Sequence, residues 1–144
     1  MGDLRPNLIL VGVVAVTLLM GLGAGAIWAF IGGLTVNLLT TDPLGSVPLG
    51  LLLTAGLVAG IGGLFGSHGA VLALIGGLLG SLVADVVGLV VLVIVGGAPI
   101  AQPGTLAGLL VPTAMLNGIL AGLAFVAARA ALGRLDFQPS PTRS

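Results

Sequence analysis

Long apolar stretches alternate along this chain with brief polar or turn-forming breaks. The first stretch runs from about Pro6 to Leu22. Pro6 suits the first turn of a helix, where its missing N–H would have no partner anyway. The sequence GLGAG at Gly21–Gly25 marks a weak break. A second stretch, about Ala24 to Leu39, stops at TTDPLGS, because Pro43 pushes Asp42 out of the α region. A third, about Val47 to Phe65, ends at GSHG, which places His68 in a turn. A fourth, about Ala70 to Val95, is closed by GGAPIAQPG, the most loop-like stretch inside the chain. A fifth, about Thr105 to Leu132, contains Pro112, which predicts a kink or an early break. The remainder, 133–144, reads as a polar tail.

Crossing a bilayer takes about 20 apolar residues at about 1.5 Å each. Composition fixes that reading: the 144 residues are 58% hydrophobic and 6% charged, whereas a soluble domain carries about 25% charged residues. The fold class expected is an all-α integral membrane protein, a bundle of about five transmembrane helices. An odd number of spans puts the termini on opposite faces. Arg129, Arg134 and Arg143 lie at the C-terminal end against Arg5 at the other, so the positive-inside bias places the C-terminus in the cytoplasm. A split at Pro112 would give six spans. The opening MGDLRPN has no basic lead-in of the kind a cleaved signal peptide carries.

Charge and chemistry remove several classes of function. A net charge of zero gives no electrostatic footing for nucleic acid. Without cysteine there are no disulfides and no thiolate metal sites. One His and no Glu leave no nucleophile–base pair and no ligand cluster, so neither an enzyme nor a cofactor is expected.

Small residues recur four apart: Gly56 with Gly60, Gly62 with Gly66, Gly76 with Gly80, Gly118 with Gly122, and the row Ala55, Ala59, Gly63. Such spacing lines one helix face and lets backbones approach in lipid. Each row serves either internal packing or a groove for a partner helix. Three polar residues interrupt the apolar segments. Asp85 sits in GSLVADVVGLVV, where an ionised carboxylate costs about 2.5–3.5 kcal/mol at the centre of a span. It is read as a polar lock between helices, a contact to a partner, a residue near one face, or part of a proton relay. Within the chain, Ser81, Asn37, Asn117, Thr35 and Thr113 are its candidate partners. Asn37 and Asn117 are expected to hydrogen-bond neighbouring helices, since lipid cannot satisfy an amide.

Four motifs in order carry a family resemblance: RPNLIL at 5–10, GAGAIWAFIGGLTVNLLTTDPLGS at 23–46, SLVADVVGLVVLVIV at 81–95 and LLVPTAMLNGILAGLAFVAARAALGRL at 109–135. Together they resemble the bacterial rod shape-determining protein MreD family, over nearly the whole chain. Two departures stand out. Family members often carry one more hydrophobic helix before the Arg-Pro-Asn stretch, and Asn37 stands where the family usually has an aspartate. The resemblance implies a non-enzymatic member of the rod complex, or elongasome, in the cytoplasmic (inner) membrane. It implies binding to MreC and work alongside the RodA glycosyltransferase, a class B penicillin-binding transpeptidase and MreB, in peptidoglycan synthesis and cell shape. It also implies a fold similar to the substrate-binding component of energy-coupling factor transporters. On that pattern Asp42, Pro43 and Gly45 form the turn at the outer end of the second helix. The competing expectation is a substrate-binding membrane subunit of a vitamin transporter.

The orientation is directly testable. Cysteines introduced as Asp3→Cys and Ser140→Cys are expected to react with an impermeant thiol reagent from opposite sides of the membrane, with the position at 140 protected in intact cells. Equal labelling of both from outside would reverse the reading.

Overall fold

The computed structural model describes residues 6–66, 69–96 and 103–135. These form five helices and, among the described residues, no strand: α1 (Leu8–Met20), α2 (Leu22–Leu39), α3 (Ser46–Phe65), α4 (Ala70–Gly96) and α5 (Pro103–Leu135). His68 and the residues from 136 onward lie outside the described residues.

Several boundaries differ from the sequence expectation, each for a local reason. Pro6 lies outside α1. Asn7 is the N-cap, its side chain accepting the Leu10 N–H at 3.0 Å, as a side-chain oxygen does for an otherwise orphaned donor. The break between α1 and α2 falls on Gly21 alone, at φ 94°, a conformation that costs a residue with a Cβ. α5 passes through Pro112 without interruption and continues to Leu135, into what the sequence suggested was tail. Pro112 is exposed, and the crowding of its ring against the Gly108 carbonyl does not end the helix.

Helices α2 to α5 are long and apolar enough to cross a membrane. α1 is not. Its 13 residues span about 20 Å, against about 30 Å of hydrocarbon. What it lacks in length it gains in enclosure. Successive helices pack side by side from α1 to α5, α5 returns to α1, and α1 also touches α3 and α4. Leu10, Val11, Val13, Val14, Ala15, Thr17 and Leu18 of α1 are all buried. A helix that is apolar all round is suited to a core position, and α1 supplies the centre of the cluster completed by Leu51, Ala55, Val58, Ala73 and Phe125.

Close approach in this bundle depends on absent side chains. A Cβ on Gly33 would lie 2.6 Å from the Pro48 Cα, and one on Gly50 would lie 3.1 Å from the Ala84 Cα. α2 meets α3, and α3 meets α4, backbone against backbone. Gly33→Leu is therefore expected to destabilise the bundle by about 1–3 kcal/mol, the usual penalty of overpacking, measured as unfolding in mixed micelles. Gly56→Leu, where a Cβ meets nothing within 4 Å, should leave stability unchanged. Equal losses would contradict the packing described.

Candidate functional site

Two regions of the bundle offer something beyond packing: a cleft lined by polar groups, and an outward small-residue face on α3.

The cleft begins with α1. Because α1 starts beside the middle of α4 and α5, its first N–H groups need partners inside the protein. The Asn7 N–H donates to Asn117 Oδ1 at 2.9 Å, and the Asn117 amide donates to Ser81 Oγ at 2.9 Å. One buried side chain thus joins α5, α4 and the start of α1. This is the inter-helix contact expected of Asn117. Asn7 itself is a functional residue that the sequence reading passed over. An Asn directly before an apolar run is an N-cap signal, so the information was present.

Asn37 behaves differently from expectation. It is buried, yet among the described residues it bonds only the loop after α2 and the N-cap residue of α3, not the body of a neighbouring helix. Its amide donates to the Asp42 and Pro43 carbonyls at 3.2 Å each, and its Oδ1 accepts the Gly45 N–H at 2.6 Å. The loop that ends α2 folds back over its own last turn, and a single amide satisfies three backbone groups of that loop. Gly45, at φ 92°, makes the reversal possible.

Beneath this turn lies a cleft of about 340 Å³, lined by Asn7, Asp42, Ser46, Asp85, Gly88 and Leu89 among others. Asp85 is half-buried. Its carboxyl group interacts with Ser81 on its own helix, while Oδ2 is closed off from solvent and has no hydrogen-bond partner among the described residues. Asp85 therefore makes no polar lock to Asn37, Asn117, Thr35 or Thr113. Thr35 and Thr113 instead bond the carbonyls of Ile31 and Leu109 on their own helices. The lock role passes to Asn117. Asp42 is exposed, at the rim of the cleft. Among the described residues, no three His, Cys, Asp or Glu side chains converge as metal ligands would.

The small-residue rows divide. Gly76 faces Val58 and Val14, and Gly80 faces Thr54, whose hydroxyl donates to the Gly80 carbonyl at 3.0 Å. Gly118 and Gly122 lie against α4 at Leu74, Leu78 and Ala70. Both rows are internal packing. Gly62 is buried, and Gly66 is the left-handed cap of α3. Ala55 is buried whereas Gly63 is exposed, so Ala55, Ala59 and Gly63 do not share one environment. Gly56, Gly60 and Gly63 are all exposed, and a Cβ on any of them would meet nothing within 4 Å.

No family model, curated protein or solved structure matches this chain.

Asn117→Leu removes the acceptor of the Asn7 N–H and the donor to Ser81 together. Stranding a buried donor costs about 1–3 kcal/mol, so unfolding in micelles is expected to shift by that amount. Asn117→Gln, which keeps both functions on a longer stem, should lose less. If the two variants are equally stable, the amide is not what holds α1.

Proposed function

We propose that this chain is a non-enzymatic, multi-pass membrane scaffold that clasps the transmembrane helix of a partner protein. The single observation that carries this reading is the open face of α3. Gly56, Gly60 and Gly63 lie exposed along one helix with no atom near the place of a side chain, while the rows on α4 and α5 are already filled. In lipid, helix association gains little from hydrophobic burial and depends on close backbone contact, which small residues permit.

The partner this reading favours is MreC, on the strength of the four ordered motifs that resemble the MreD family. The complex would then lie in the bacterial inner membrane, with RodA, a class B penicillin-binding transpeptidase and MreB reached directly or through MreC. The end of α5, with Arg129 and Arg134, would face the cytoplasm. A second reading has its own support. The cleft gathers Asn7, Asp42, Ser46 and Asp85 around a volume at the lower end of the range for small-molecule sites, about 300–1,000 Å³. A substrate-binding subunit, as in energy-coupling factor transporters, would use such a space.

Co-purification separates the two. Gly56→Leu combined with Gly60→Leu is expected to lower recovery of MreC from membranes about tenfold or more, the scale of losing an interface hot spot, at unchanged abundance of the scaffold itself. Undiminished capture by the doubly substituted protein would sink the clasp on α3. Tight retention of a vitamin by the purified chain would favour the second reading.

A further inference from the structure

We propose that the cleft beneath the α2–α3 turn binds one primary alkylammonium group, with the charged nitrogen at Asp85 and the alkyl stem along the apolar wall. This site uses none of the α3 glycines and stands apart from the clasp proposed above.

Three observations converge on that chemistry. First, Asp85 Oδ2 is shut away from solvent without a hydrogen-bond partner among the described residues, while the same carboxyl group interacts with Ser81. A buried acceptor without a donor is costly, and in a membrane an ionisable side chain needs a partner. The terminal torsion of a carboxylate is soft, so the oxygen can turn toward a group entering the cleft. Second, the described residues lining the cleft include two acidic side chains, Asp42 and Asp85, and no basic one. Its field therefore favours a cation. Third, beside the polar Asn7 and Ser46 the wall carries an aliphatic side, with Val47, Leu51, Leu89, Leu92 and Leu110. A short hydrocarbon stem buries itself there as a lysine stem does against apolar surface.

The alternatives fit less well. Calcium takes about six to eight oxygen ligands, and no three potential metal-ligating side chains gather among the described residues. A guanidinium favours a carboxylate that presents both oxygens for a two-pronged contact, and here one of the two, Oδ2, is closed off from solvent. An ammonium is a compact charge that needs one such oxygen. The volume, about 340 Å³, suits a small amine.

The test uses the full chain in phosphatidylcholine nanodiscs with its aspartate side-chain carboxyl carbons isotopically labelled. The Asp85 resonance is assigned by its loss in Asp85→Asn. Titration with n-butylammonium is expected to shift that resonance saturably, n-butanol should not shift it, and tetramethylammonium, which has no N–H donor, should bind about tenfold more weakly or less well still. Gly88→Leu fills the cleft from a position where a Cβ meets nothing within 4 Å, so the protein keeps its fold and should lose the shift. Nanodiscs containing phosphatidylethanolamine identify the source. A resonance already shifted before titration points to the lipid headgroup, an unshifted one to a free amine, and both satisfy the proposal. It is overturned by an equal response to n-butanol, by a response that survives Gly88→Leu, or by a response seen only in Arg5→Gln, which would assign the place to the chain's own arginine.

Discussion

The bundle depends on how the start of α1 is satisfied within the protein. α1 begins beside Asn117 and Ser81 of the longer helices, and its first backbone N–H groups have no partner within the helix itself. Asn7 and Asn117 answer that constraint in sequence, the first capping the helix with its side chain and the second accepting the N–H of the cap residue. Because the Asn117 amide also reaches Ser81, the same group that admits α1 to the interior fixes α4 against α5. The valines and leucines of α1 can then form the centre of the core rather than one more lipid-facing helix.

Enclosing α1 leaves the longer helices with unequal surroundings. The buried residues of α4 all lie between Leu72 and Ser81, where Gly76 and Gly80 receive side chains of α1 and α3 and Gly77 lies against α5. Beyond Ser81 the helix runs on with Asp85, Gly88 and Leu89 along the cleft. The Asn37 amide shapes the opposite wall by holding the Asp42 and Pro43 carbonyls and the Gly45 N–H. Two asparagines of similar burial therefore do different work. One joins three helices, and the other folds a loop over the cleft.

Glycine spacing has the same double meaning. Gly76–Gly80 and Gly56–Gly60 repeat at one interval, yet the first pair receives Val58 and Thr54 and the second faces open space. Four-residue spacing specifies a flat strip on a helix. Whether a neighbour occupies that strip depends on how the helix is rotated about its axis, and in α3 the rotation turns Thr54, Ala55 and Val58 inward.

Taken alone, the residue pattern determined that the chain is membrane-embedded and all-helical, with breaks near Gly21, Asp42–Pro43 and Gly66. Hydrophobic length and turn chemistry are local properties, and local properties survive in a one-dimensional pattern. The pattern also marked Asn37, Asp85 and Asn117 as groups that lipid cannot satisfy. It did not determine what satisfies them. Asn37 bonds its own loop because that loop reverses at Gly45. Asn117 reaches Asn7 across most of the chain, and Asp85 is left with an oxygen facing no partner. Nor did it show that α1, the shortest apolar segment, would be the most enclosed. Those outcomes are set by the rotation and depth of each helix against the others, which are fixed only when all five pack at once.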